Sequence, residues 1–183
     1  MASRKEFVSN LNIKIGPLDE KDIEKFDQIL RQHVRSRDTG EILEDEISEI
    51  KGYMRGNKDD YGRLRKYLVA KSFDDGVIGC MAYSVMDPDM VSHFPDIDQT
   101  ESVELLNAFV SSEVFRGGGV GGRLFESICN AARLEGKKHL VVHSGPRYKA
   151  SWGFYDKKAD ENRGYILEKY GKGGDAMTWV KKL

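Results

Sequence analysis

Phe115-Arg-Gly-Gly-Gly-Val-Gly-Gly-Arg123 sets five glycines between an apolar run that reads as a buried strand, Val103–Ser112, and a run that reads as a helix over about 121–135. In the second run Leu124, Ile128, Ala131 and Leu134 face one way. Glycines at such a junction let the backbone turn sharply and approach a ligand closely, at a cost in chain entropy. The free N–H groups and positive dipole end of the helix then favour an anion, typically a phosphate. A ligand-free glycine loop is the plainer alternative, but five glycines make it an expensive one.

Working outward, Asn12–Ile15 alternates and is closed by Gly16-Pro17, which reads as a short strand. Asp19 is placed to cap a helix over roughly 20–35, and a second helix is expected over about 41–55. Tyr67–Lys71 and Val77–Val85 are β-rich runs joined by the hairpin signal Phe73-Asp-Asp-Gly76. Met86–Ser102 reads as a long polar loop carrying Asp87, Asp89, Asp96, Asp98 and Glu101, an acidic surface that would attract a cationic ligand. Beyond the glycine turn come a strand Leu140–His143, a short helix Pro146–Lys157, and two strands, Tyr165–Tyr170 and Ala176–Lys182. The order β-α-α-β-β-β-α-β-α-β-β places three consecutive strands before the turn. That implies a mixed sheet with helices packed on it rather than a run of βαβ units.

The chain has 183 residues, which suits one domain over 1–183 with a loose lead-in at 1–10. Lys plus Arg number 29 against 30 Asp plus Glu. With no basic excess, no broad footprint for nucleic acid or an anionic membrane is expected. Cys80 and Cys129 sit in apolar stretches and read as two buried thiols in a reducing compartment. The histidines are scattered and no CxxC spacing occurs, so no metal is expected. The N-terminus lacks a signal-peptide core, and no apolar run reaches the ~20 residues of a membrane span. A cytoplasmic protein is expected.

Two phosphate-binding patterns overlap at the turn. Gly117, Gly119 and Gly122 satisfy GxGxxG, but the strand that follows ends His143-Ser-Gly, with no acid in the ribose-binding position. Arg116-Gly-Gly-Gly119-Val-Gly121 also fits R/Q-x-x-G-x-G/A. With that motif in this strand order, the chain resembles the GNAT N-acetyltransferases from Asn12 to Leu183. The resemblance implies an α/β (α+β) fold: a mixed, mostly antiparallel central sheet of six or seven strands with helices on both faces. It also implies acetyl-CoA as cosubstrate and a primary amine of a small molecule or peptide as acceptor.

Carried over by motif position, the pyrophosphate falls to Arg116, Gly117, Gly118, Gly119, Val120, Gly121, Gly122 and Arg123, and the pantetheine arm to Phe109, Val110 and Ser111. Val110 lies one residue further from Arg116 than in the commonest family form, which a bulge near Ser112 would absorb. Ser151-Trp-Gly-Phe-Tyr155-Asp-Lys157 is similar to the family's A-x-x-F/L-Y-x-K helix. Ser151 then stands among the cofactor contacts, and Tyr155 is the proton donor to the departing thiolate. A phenol of pKa about 10 stays protonated at neutral pH and can deliver its proton to a departing thiolate, whose conjugate thiol has a pKa of about 8.5. Tyr148 replaces the usual Asn, and Lys157-Lys-Ala-Asp160 replaces the usual ending.

An alkylammonium of pKa about 10.4 must lose a proton before it attacks. The resemblance offers Glu104 as the base, with a surface acid at a strand end as the ordinary alternative. Asn107 could orient the amine, Glu113 is a poorer base candidate, and His143 reads more readily as a satisfied core histidine. Direct transfer in a ternary complex is expected. A non-catalytic acyl-CoA-binding module and a dinucleotide-binding protein remain as alternatives. A homodimer through the C-terminal strands is open if Trp179 is exposed.

Overall fold

The computed structural model describes residues 13–72, 76–111 and 119–183. Seven strands form one open mixed sheet in the order β1-β2-β3-β4-β5-β7-β6. They are β1 Lys14–Pro17, β2 Lys66–Ser72, β3 Gly76–Ser84, β4 Ser102–Val110, β5 His139–Ser144, β6 Glu161–Ile166 and β7 Ala176–Lys182. The α-helices are α1 Asp27–His33, α2 Glu44–Met54, α3 Pro88–His93, α4 Val120–Leu134 and α5 Trp152–Lys158. The β4–β5 pair is parallel, whereas β1–β2, β2–β3, β5–β7 and β6–β7 are antiparallel. Among the described residues no helix is long and apolar enough to cross a membrane. The chain's contacts gather into two compact units, residues 1–83 with 107–128, and residues 84–106 with 129–183.

In the first unit, Asp19 caps as expected, accepting the Lys21 amide at 3.2 Å. The helix it opens is not α-helical throughout: Glu20–Phe26 is a 3-10 segment that continues into α1. Ile23, Phe26 and Ile29 are all buried, and a 3-10 helix stacks residues three apart on one line. In α2, Ile47, Ile50 and Met54 turn inward at helical spacing. The buried Asp22 carboxylate is held between Lys25 and Lys71. The hairpin turn at 73–75 lies outside the described residues, but its flanking strands pair up to Ser72↔Gly76.

The second unit corrects two expectations. Met86–Ser102 is not a structureless loop. Asp87 caps α3, Pro88 stands in its first turn, and Met90 and Phe94 pack with Met86, Val141 and Val180. Nor does Tyr165–Tyr170 form the penultimate strand. β6 runs earlier, Glu161–Ile166, and the chain then turns back at Glu168, which has φ 52. The Glu168 amide donates to Asp175 Oδ1 at 2.8 Å, and Tyr170 N–H to the Gly174 carbonyl at 3.0 Å. Trp179 is 1% exposed, its indole N–H bonded to Asp156, so it offers no dimer surface.

Gly79 of β3 lies tightly against β4. A Cβ there would lie 2.8 Å from the Phe109 carbonyl oxygen and 3.2 Å from Val110 Cα. Gly79→Ala is therefore expected to destabilise the protein by about 1–3 kcal/mol through overpacking. Urea unfolding measures this, and an unchanged midpoint would mean that β3 and β4 can spread at no cost.

Candidate active site

Glu104 lies in the first half of β4, where the parallel register with β5 runs from Ser102↔His139 to Leu105↔Val142. Ser102, Val103, Glu104 and Leu105 are all buried, so both faces of this stretch are covered. Glu104 keeps 0% exposure, which excludes the surface-acid reading. A carboxylate so placed needs hydrogen-bond donors. Its Oε2 accepts the Asp87 amide at 2.8 Å, and its Oε1 lies 3.0 Å from Nε2 of His143. β5 supplies that imidazole because His143 stands two residues beyond Val141, the register partner of Glu104, and residues two apart share a face.

The chain of contacts runs on. His143 Nδ1 is 2.6 Å from the Tyr170 hydroxyl, and the two rings stack with centroids 5.8 Å apart. A carboxylate can only accept, so the network places the imidazole proton on Nε2 and leaves Nδ1 to accept from Tyr170. Asp87 closes the group from the other side. Its Oδ1 caps α3 by accepting the Met90 amide at 2.7 Å, and its Oδ2 accepts from Lys169 Nζ at 3.0 Å. Burial raises the Asp87 pKa, but the Met90 amide and the Lys169 ammonium outweigh it and hold the carboxyl below its ordinary range.

Asp87, Glu104 and His143 each bring a ligand-type atom within 4.8 Å of the others. Both oxygens of each carboxylate are nonetheless engaged in these hydrogen bonds, and Lys169 supplies the cation. The group is a hydrogen-bonded chain. The rest of the acidic segment has partners too: Asp89 shares Lys169, Asp96 meets Arg163, Glu101 meets Lys138, and Asp98 accepts from the Thr100 amide.

Asn107 is held elsewhere. It has φ 43, rare for a residue with a side chain, and its Oδ1 accepts from Arg65 Nη1 at 2.5 Å and from the Tyr67 hydroxyl at 2.9 Å. The Arg65 guanidinium lies over the Tyr53 ring, 3.7 Å from its centroid. Further along β4, Phe109 is buried beside the His33 ring, and the Val110 carbonyl accepts from His33 Nε2 at 2.8 Å. Ser111 N–H donates to the Ile78 carbonyl at 2.7 Å.

At the glycine turn, Glu113, Arg116, Gly117 and Gly118 lie outside the described residues, as does Ser112, where the bulge was expected. Gly119 has φ 81 and leads into α4, a helix of 15 residues with no acid in its first turn. Val120 is fully buried, Gly121 and Gly122 are half-buried, and Arg123 donates to the Ile13 carbonyl at 2.7 Å. Ser151 Oγ donates to the Tyr148 carbonyl at 2.8 Å. Tyr155 is buried against Trp179, ring centroids 5.2 Å apart, and burial raises its phenol above the ordinary value.

The structure thus joins Glu104 to His143, which sequence weighed as separate bases, and ties Asn107 to Arg65 instead. It adds Tyr170 and Lys169, which sequence reasoning missed because their segment reads as a strand. The sole available signal was the glycine group Gly171-Lys-Gly-Gly174 directly after Tyr170.

The acetyltransferase (GNAT) family model matches residues 28–159. The chain belongs to the GNAT acetyltransferase family. It is an acyltransferase, of a family that acts on amine acceptors such as small molecules or peptides and generally uses acetyl-CoA. Solved structures share the fold. The IAA acetyltransferase from Bacillus cereus is 17% identical with TM-score 0.62, the match covering 94% of this chain and 100% of that one. A GNAT-family acetyltransferase from Staphylococcus aureus Mu50 is 11% identical with TM-score 0.65, covering 93% and 99%. The ribosomal-protein-alanine N-acetyltransferase from Brucella melitensis is 22% identical with TM-score 0.62, covering 93% and 99%. Among curated proteins none matches.

Asp87 both caps a helix and neutralises Lys169, whose side chain is 7% exposed. Asp87→Ala in this GNAT protein is expected to cost about 3–5 kcal/mol, as for removing one member of a buried pair. The pH sign follows from the lowered carboxyl. The contribution is fully present above the unfolded-state value of about 3.9 and is lost as pH falls through the folded value. Denaturant midpoints of wild type and variant should accordingly converge in acid, and a gap constant from pH 7 to pH 2 would remove Asp87 from the pH dependence.

Proposed function

We propose that this GNAT enzyme carries an acetyl group from acetyl-CoA to a primary amine of a small molecule or peptide, by direct attack in a ternary complex. The observation that carries the reading is the N-terminus of α4, entered through Gly119 at positive φ and free of acids in its first turn. Amides of Gly119 to Gly122 there suit a pyrophosphate, and Arg123 adds a positive charge to the same turn. Arg116, Gly117 and Gly118 extend that assignment, and Phe109, Val110 and Ser111 are assigned to the pantetheine arm. The Val110 carbonyl is engaged by His33. Ser151 is assigned to the cofactor's side of α5.

When bound, acetyl-CoA supplies a thioester, an acyl group already activated for attack by nitrogen. The acceptor nitrogen gives up two protons in the whole reaction; one ends on the CoA sulfur and the other in water. Tyr155 is assigned the first of these deliveries, since burial keeps its phenol protonated well above neutral pH. Glu104 is assigned to the base side, and Asn107 to shaping the strand from which the amine is approached. A covalent acetyl-cysteine route is disfavoured: burial pushes the Cys80 thiol up to about 12, leaving almost no thiolate at neutral pH.

Thermal unfolding with acetyl-CoA, NAD and ATP in parallel tests the first step. A ligand at about 100 times its dissociation constant should add about 2.7 kcal/mol. Stabilisation by acetyl-CoA alone is expected; stabilisation by NAD instead would overturn the assignment of the turn. Release of CoA thiol is then followed with spermidine, a lysine-containing peptide and an aminoglycoside. Tyr155→Phe is expected to lower kcat about 10²-fold, and unchanged turnover over pH 6–9 would remove Tyr155 as the acid.

A further inference from the structure

Glu104 poses a difficulty for the amine-acetylation reading, on which this inference rests. At 0% exposure its carboxylate cannot touch an acceptor, and both of its oxygens are already hydrogen-bonded. The residues connected to it become steadily more accessible. The His143 side chain is 10% exposed, and Tyr170, next along, is 54% exposed. The three form one line of hydrogen bonds from the interior of the sheet to a residue at the surface.

We propose that Tyr170, His143 and Glu104 are the relay that removes the acceptor's first proton, with the Tyr170 hydroxyl as the group that touches the amine. An N–H bond of the ammonium breaks and its proton passes to Tyr170 Oη. The Tyr170 O–H bond breaks in the same transfer and its proton passes to His143 Nδ1. The amine keeps the electron pair and becomes the nucleophile. The proton held on His143 returns through Tyr170 to water before the next turnover. Glu104 takes no proton and is a positioning residue.

The hydrogen-bond directions fit this task. With Nε2–H donated to Glu104, the Nδ1 lone pair faces the Tyr170 hydroxyl at 2.6 Å. A proton gained by the ring is met by a carboxylate at 3.0 Å, so it forms an ion pair within the cluster and not an isolated buried cation. The groups facing the relay are Glu104 from β4, Asp87 and Asp89 from the start of α3, Lys169 from the β6–β7 connection, and Arg147 and Tyr148 from the segment after β5.

Tyr170 is also held in place, as a relay requires. Its amide bonds the Gly174 carbonyl, and its neighbour Lys169 ties the same turn to Asp87 and Asp89. Its ring covers Gly145, where a Cβ would lie 2.8 Å from ring carbons, so only glycine leaves room for the ring there. The turn holds Glu168 at φ 52, a conformation costly for a residue with a side chain. A surface tyrosine with no task would need none of this.

Two measurements test the relay. Long-range proton–nitrogen NMR of the imidazoles, with His143 assigned by its loss in His143→Gln, needs no turnover. The expected result near pH 8 is a proton on Nε2 and none on Nδ1, with the Nδ1 resonance moved by Tyr170→Phe. A proton on Nδ1 would overturn the relay. The second is the pH profile of kcat/KM for whichever of the three amines named above is turned over fastest. Tyr170→Phe should lose about 10²-fold at pH 7, and the deficit should close as pH nears the amine's own pKa of about 10.4, where the free amine needs no base. A deficit of constant size across that range would mark a structural role and overturn the proposal. If wild type acetylates none of the amines, the amine reading has failed and the relay falls with it, whereas a proton on Nδ1 in an enzyme that does acetylate one of them removes the relay alone.

Discussion

Placing the Glu104 carboxylate inside a sheet covered on both faces is the constraint from which the rest of the second unit follows. An ionised group there costs several kcal/mol unless donors surround it. One donor is the Asp87 backbone amide, which fixes where the chain leaves β3 and enters α3. The other is His143, which fixes the face of β5 that must turn toward Glu104. Each donor then makes demands of its own. Asp87 is drawn into the interior with its charge and needs Lys169; His143 has a second ring nitrogen and takes Tyr170. Two consecutive residues of one turn thus answer two consequences of one buried acid.

That linkage explains a turn that local preference would not form. Tyr165 to Tyr170 is rich in β-forming and aromatic residues, and an extended strand is its cheapest local state. The chain reverses at Glu168 because side-chain partners compensate for the unfavourable backbone: Asp175 accepts its amide, and Lys169 finds two carboxylates. Propensity was outweighed in part by Asp87 and Asp89, which lie 82 and 80 positions before Lys169 in the chain. No window of sequence contains that information.

The legible parts share a different property, in that each is written in the identity of adjacent residues. The glycines before Val120 announce a turn into a helix because no other residue does that work as readily, and α4 begins where they end. The apolar run Val103–Ser112 announces a strand, realised as Ser102–Val110 and fully buried over its first half, and Ala176–Lys182 forms a strand with the limits read from sequence. The α3 helix was half-written: Asp87-Pro88 is a cap and first turn, but six residues are too few for a helical period to emerge. The 3-10 form of Glu20–Phe26 was hidden for a similar reason, since Ile23 and Phe26 fit either helix. At the site, Glu104 could be placed on its strand, but its burial depends on what covers both faces, and its link to His143 depends on register.

The acidic segment before β4 carries the last consequence. Five carboxylates in 17 residues suggest attraction for a polycation, yet each has a cation or a capped amide of its own within the fold. Their charge is spent on joining α3 and the turn before β4 to β5, β6 and the connection beyond it. A carboxylate committed to an internal partner contributes less to a diffuse negative field than a free one does. Charge in this segment organises the scaffold.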